Sequence, residues 1–213
     1  SRAFNEQHVH VRTRTGLLAG GGRVEQMRRG ALWVVGVAIA WVGAAALHAA
    51  ASNEGMELIG TKALNWDVSE WLNSQPLRLS QLGGRVVLVR WWTGPECPYC
   101  AASAPNLNAL HERYHAKGLV VIGFYHHKSP TPLTRQHVEQ LVRRYQFQFP
   151  VAIDPEWQTL KRWWLDGHEH AWTSVSFLID QEGVIRYIHP GGSYTDDDMT
   201  TLTSLIEKLL ATR

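Results

Sequence analysis

Two cysteines occur in the 213 residues, Cys97 and Cys100, with Pro98 and Tyr99 between them. At that spacing both sulfurs can meet within one helical turn, without remaking the backbone. Residues 85–92, Arg-Val-Val-Leu-Val-Arg-Trp-Trp, form an apolar, β-branched run that reads as a central strand. Thr93-Gly94-Pro95-Glu96 breaks the run, and Cys97 then opens a helix. A helix N-terminus offers unpaired N–H groups and positive potential, which favour a thiolate at Cys97. Pro98 has no N–H to lose in the first turn and stiffens it. The expected chemistry is thiol–disulfide exchange: Cys97 attacks a partner disulfide and Cys100 resolves the mixed disulfide. A structural disulfide or half a zinc site are the plainer readings. The first usually closes a longer loop, and the second needs two histidines from elsewhere. Two cysteines exclude a multi-disulfide scaffold and a four-cysteine zinc module.

The elements that must hold this pair are legible in outline. Leu107, Leu110 and Tyr114 fall at helical spacing after the cysteines, and Gly118 stops that helix. Residues 119–124 read as a second buried strand, and 135–145 as a helix turning Val138, Leu141 and Val142 inward. Residues 149–154 suggest a short strand or edge segment, and 156–165 a short helix. Residues 175–179 and 184–188 flank Gln181-Glu182-Gly183, a hairpin with a glycine turn. Thr195 is a good N-cap for a last helix, with Asp196, Asp197 and Asp198 complementing its dipole. Strand, helix, strand, helix, hairpin, helix is a βαβ half joined to a ββα half on one mixed α/β sheet.

These motifs together resemble the thioredoxin superfamily, in its extracytoplasmic TlpA-like (redoxin) branch. A strand ending in Trp91-Trp92 leads to the Cys-x-x-Cys, and Pro105 stands where that family has its helix-kinking proline. The entry 79–89, the segment Phe149-Pro150-Val151 with Asp154, and Phe177-Leu178-Ile179-Asp180 before Gly183 are similar to family segments. The resemblance spans about residues 66–210 and implies a thioredoxin-like fold with thiol–disulfide exchange, acting on protein thiols and disulfides of a redox partner. Exchange by the cysteine pair requires no prosthetic group. Pro98, Tyr99, Glu96, Trp92, Thr173 and Ser174 are expected to shape the site around catalytic Cys97 and Cys100.

Three positions depart from the family pattern. Ser174 stands where the family carries a cis-proline facing the cysteines. A cis bond without proline costs about 3 kcal/mol, so a trans Thr173–Ser174 bond is expected, with the Ser174 hydroxyl free to approach a sulfur. Glu96 precedes Cys97 where an aromatic is usual, and its carboxylate would either oppose the helix dipole or remain solvated. Arg90 lies near where thioredoxins bury an acid. If buried it would need a carboxylate partner; it could favour the thiolate or simply salt-bridge at the sheet edge.

Histidines raise an alternative. His126 and His127 follow the second strand, while His168 and His170 precede the hairpin, so all four could surround the cysteines. This loosely resembles copper chaperones of the Sco type, which would place copper on Cys97, Cys100 and His170. A thiol peroxidase is a further alternative, but it needs a threonine at the position of Gly94. Trp157, Trp163, Trp164 and Trp172 read as core filling, with Trp172 a candidate rim for a partner protein.

Residues 1–26 form a polar leader, and we read Met27 as the candidate start of translation. Residues 27–51 combine Arg28-Arg29, a 17-residue apolar run over 31–47 and Ala49-Ala50-Ala51, the pattern of a signal peptide or membrane anchor. Export would place the protein in the periplasm or an equivalent compartment, where a close cysteine pair can be oxidised. Residues 52–65 read as a linker and 66–213 as the thioredoxin-like domain. The net charge of +2 conceals an asymmetry: 1–51 hold six arginines against two acids, leaving 15 basic against 17 acidic residues beyond. That balance gives no basic patch for nucleic acid.

Overall fold

Strand β2 (Val86–Trp92) is buried along its whole length, because it pairs on both edges and is covered on both faces. It pairs in parallel with β3 (Leu119–His126), in register Val86↔Leu119 through Trp92↔Tyr125, and antiparallel with β5 (Val175–Ile179). Parallel neighbours need a crossover, and helix α1 (Pro98–Tyr114) supplies it, continuing through Pro105. In this computed structural model the described residues are 54–94, 97–154, 156–170 and 172–212. The leader, the signal or anchor segment and Glu96 lie outside them. Among the described residues no helix is long and apolar enough to cross a membrane.

The six-stranded sheet runs β1 (Trp71–Leu72), β4 (Val151–Asp154), β3, β2, β5, β6 (Ile185–Pro190), a thioredoxin-like mixed sheet flanked by helices. Helix α2 (Arg135–Arg144), N-capped by Thr134, leads into β4 (Val151–Asp154). Residues 149–154 were expected as a possible edge, but β4 is interior. The edge is β1 (Trp71–Leu72), which pairs Trp71↔Ala152 and Leu72↔Val151. Helix α3 is one α-turn (Gln158–Leu160) that widens into a π-turn (Lys161–Leu165), closed by Asp166 N–H donating to the Lys161 carbonyl at 2.8 Å. The buried Asp154 carboxylate caps it by accepting from the Thr159 and Leu160 amides. Strand β6 (Ile185–Pro190) completes the hairpin. Asp180 ties its turn, accepting from the Glu182 and Val184 amides and pairing with Arg186 at 2.6 Å. Helix α4 (Asp196–Ala211) starts on a capping box between Thr195 and Asp198.

The period of two along β2 sorts the core into two layers. Val86, Leu88 and Trp92 face α1, α2 and α4, meeting Leu107, Leu110, Tyr114, Val138, Leu202 and Ile206. Val87, Val89 and Trp91 face the other way, onto an aromatic layer of Trp66, Trp71, Phe124, Trp163, Trp164 and Phe177. Trp91 stacks on Phe124 at 4.9 Å and tilts against Trp163 at 5.2 Å. The core-filling expectation holds for Trp163 and Trp164, whereas Trp172 is exposed.

The described part of the expected linker, residues 54–65, lies against this aromatic layer. Its short 3₁₀ turn (Met56–Leu58) is followed by an antiparallel bridge, Lys62↔Val184. Gly60 N–H donates to Ile185 carbonyl and Ala63 N–H to Gly183 carbonyl. Those backbone bonds make it an added rim of the hairpin, not a free tether.

Candidate active site

Cys97 is the N-cap of α1, where its sulfur accepts from the Cys100 amide at 3.3 Å. Both cysteines are free thiols with their sulfurs 2.7 Å apart. The turn geometry follows from sequence: Pro98 sits at the first helical position, where a missing N–H costs nothing. Exposure is graded. Cys97 is half-buried, while Cys100 is 2% exposed and packs in the core beside Trp92 and Ala104. Only the first sulfur is open to a partner.

The Ser174 hydroxyl lies 3.2 Å from the Cys100 sulfur, as expected for a polar side chain in that place. Thr173 beside it bonds His126 Nε2 at 3.2 Å and the Lys128 ammonium at 2.9 Å. Trp92 forms the floor, with its ring edge-on to Tyr125, Phe147 and Tyr145. Gly123 opposite makes room for it, since a Cβ there would come within 2.8 Å of Trp92 Nε1. Tyr99 is 53% exposed and meets Trp172, 42% exposed, edge to face at 6.4 Å. The two rings form an apolar lip beside Cys97.

The helix terminus does not win the electrostatic contest at Cys97. Burial pushes the Cys97 thiol above its ordinary 9.0, and the neighbouring Cys100 thiol pushes the same way. The Cys100 amide and the Ser174 hydroxyl pull it back down, but less strongly. The expectation of a favoured thiolate is corrected on this point: partial desolvation outweighs the oriented amides.

Arg90 is fully buried, and among the described residues no carboxylate pairs with it. Its guanidinium donates to the Gly191 carbonyl at 2.8 Å, the Gly192 carbonyl at 2.6 Å and the Ser176 hydroxyl at 3.1 Å. It also sits over the Tyr194 ring, 5.3 Å from the centroid. Both expectations, an acid partner and a sheet edge, are overturned. Carbonyl dipoles and an aromatic face do the solvating inside the sheet's centre. The clamp matters because Gly192 leans on the redox turn: a Cβ there would collide with Tyr99 Cβ and lie 3.3 Å from the Cys97 sulfur. Gly191, at φ 100°, also donates its N–H to the Ser174 carbonyl at 2.8 Å. Gly191, Gly192, Ser176 and Tyr194 are site residues the sequence reading missed. The adjacent glycine pair after the hairpin was the available signal.

The four histidines do not gather at the cysteines. His126, the last residue of β3, is buried edge-on to Trp157. Burial, with the Lys128 and Arg90 cations, lowers it to about 3. His127 bonds Tyr125 Oη at 3.0 Å and the Thr131 carbonyl at 2.6 Å. His170 stacks on Trp164 at 3.6 Å. Among the described residues, the donor atoms of Glu57, His168 and His170 lie within 4.8 Å of one another, and neither cysteine joins that group. A copper set of Cys97, Cys100 and His170 therefore does not fit this arrangement.

Comparison with known proteins places this geometry. The Redoxin family pattern matches residues 60–206. The thiol-disulfide oxidoreductase ResA of Bacillus thuringiensis subsp. konkukian is 30% identical over 132 residues, covering 62% of this chain and 69% of ResA. The protein DipZ of Mycobacterium tuberculosis is 26% identical over 158 residues, which are 73% of this chain but only 21% of DipZ. Thus the chain spans about a fifth of that longer relative. A thiol:disulfide interchange protein DsbE from Chlorobium tepidum superposes with a TM-score of 0.56 at 27% identity, over 71% of this chain and 97% of that one. A thiol-disulfide isomerase from Corynebacterium glutamicum gives 0.57 at 28% identity, over 70% and 96%. With its sheet order, its crossover helix and its paired thiols, the chain belongs to the Redoxin family and has a thioredoxin-like fold.

Proposed function

We propose that the chain reduces disulfides of extracytoplasmic proteins through Cys97 and Cys100. The observation that carries the reading is graded exposure across two sulfurs 2.7 Å apart. The Cys97 thiolate attacks one sulfur of a partner disulfide, and the other partner sulfur leaves as a thiolate. Deprotonated Cys100 then attacks Cys97, releasing the second partner thiolate and leaving a Cys97–Cys100 disulfide. Two electrons pass to the partner, and an external dithiol must restore the pair. The Tyr99–Trp172 lip offers an apolar seat for the segment flanking the partner's disulfide. The raised Cys97 pKa supports a reductant, because strong oxidants of this fold owe their potential to a stabilised thiolate. The apolar 31–47 run supports export or tethering.

The test pairs two variants with one potential. Cys97→Ser should abolish reduction of a protein disulfide, while Cys100→Ser should accumulate a mixed disulfide through Cys97. The wild-type potential should fall near about −270 mV. Wild-type exchange in Cys97→Ser would overturn the roles, and a potential near about −120 mV would reverse the direction of electron flow.

A further inference from the structure

On the opposite side of the sheet from the thiols, Glu57, His168 and His170 converge from two separate segments. Glu57 sits in the 3₁₀ turn Met56–Leu58, and the histidines follow the π-turn Lys161–Leu165. One oxygen of Glu57 lies 3.4 Å from His168 Nδ1. A tetrahedral ion with bonds near 2.1 Å holds its donor atoms about 3.4 Å apart, so this pair already stands at ligand spacing. The third donor, on His170, is within 4.8 Å of both, and small side-chain rotations close the remainder.

A simple ion pair accounts for only part of this arrangement. It would use Glu57 and a protonated His168, leaving His170 idle. Yet both ring nitrogens of His170 are shielded from solvent and find no hydrogen-bond partner among the described residues. Its ring is fixed flat on Trp164, 3.6 Å away with 7° between planes, and lies 5.2 Å from the His168 ring. An imidazole held rigidly with unused lone-pair positions, beside a second imidazole and a carboxylate, is a donor set awaiting an acceptor. The Glu54 carboxylate also acts electrostatically on His170, adding negative charge on the same side.

We propose that Glu57, His168 and His170 form a binding site for a borderline divalent transition-metal ion of the zinc(II) or copper(II) class. Two imidazoles and one carboxylate suit these ions, whereas calcium and magnesium prefer oxygen throughout. The bound ion ties the segment before β1 to the loop that ends at Thr173 and Ser174. It fastens one flank of the redox centre without touching a sulfur.

The full chain is first oxidised, so that the Cys97–Cys100 disulfide cannot bind metal, and is then titrated calorimetrically with Zn²⁺. One ion per chain is expected at this site, and its affinity should fall at least tenfold in Glu57→Gln and in His168→Ala. Glu57 is exposed, so its replacement leaves the fold intact, and an unchanged circular dichroism spectrum of metal-free Glu57→Gln serves as the control. With Cu²⁺ as probe, the paramagnetic resonance spectrum should show nitrogen coupling that weakens in His168→Ala. Zn²⁺ should raise the melting temperature of the wild type and not of Glu57→Gln. Absence of Zn²⁺ binding overturns the proposal. So does binding that persists undiminished in both variants, which would place the ion on other histidines, such as those of residues 1–53.

Discussion

The two faces of the sheet are built on opposite principles. The face covered by α1, α2 and α4 places its chemistry on one short stretch, Cys97–Cys100, and trims it with backbone from the loop after β6. The other face spends its side chains on packing: Trp66, Trp163 and Trp164 interlock with Phe124 and Phe177. Consequently one face carries its thiols on a locally encoded turn, and the other is assembled from distant segments and given over mainly to packing. Changes on the first should alter exchange more than stability, and changes on the second the reverse.

Trp164→Ala tests that division with the largest effect. The ring is 1% exposed, packs on Phe177, Gly55 and His170, and donates its N–H to the Trp172 carbonyl at 2.7 Å. Its loss should cost about 3–5 kcal/mol in denaturant unfolding, while the Cys97–Cys100 potential stays near the wild-type value. A large shift in potential would break the division.

Arg90→Met comes next, because Arg90 crosses from packing to function. It would strip a donor from the Gly191 and Gly192 carbonyls, costing about 1–3 kcal/mol. Exchange should slow as well, since Gly192 is then no longer held against Cys97 and Tyr99. Unaltered exchange kinetics would remove Arg90 from the site.

His126 sharpens the comparison through pH. Its folded-state pKa is lowered to about 3 by burial first, then by Lys128 and Arg90. The unfolded chain therefore takes up a proton below about pH 6.5 that the folded chain refuses. Stability should fall as pH drops from about 6.5 towards 3, with His126 contributing up to about 1.4 kcal/mol per unit, and the slope should be shallower by that contribution in a folded His126→Gln variant. Above about pH 7 the residue contributes no slope.

Ser174→Ala is the smallest perturbation. Burial first, and then the neighbouring thiol, set Cys97 above 9.0, and the serine hydroxyl pulls against them. Alkylation of Cys97 in the reduced protein should keep rising beyond pH 9, and Ser174→Ala should move that profile to still higher pH with little change in melting temperature. A shift to lower pH would show that the hydroxyl does not favour the thiolate.

Much of the fold was legible because it is periodic. The runs 85–92 and 119–124 forecast β2 and β3 within two residues, and Thr195 with Asp198 forecast the start of α4. Strand β1 was not legible, since two residues carry no period, and without it β4 read as a possible edge. The segment 54–65 read as a linker because its anchoring is done by backbone groups, which every sequence possesses.

Local sequence alone encodes the cysteine pair and the helix that it caps. Those features depend on residues within one helical turn, and local spacing encodes them. Tertiary structure alone decided that Arg90 is solvated by carbonyls, that Gly192 presses on Cys97, and that burial raises the nucleophile's pKa. It also decided that the histidines gather with Glu57 and not with sulfur. Each of these turns on which distant groups share a low-dielectric neighbourhood. Contact and desolvation depend on distance in space, which chain order does not record.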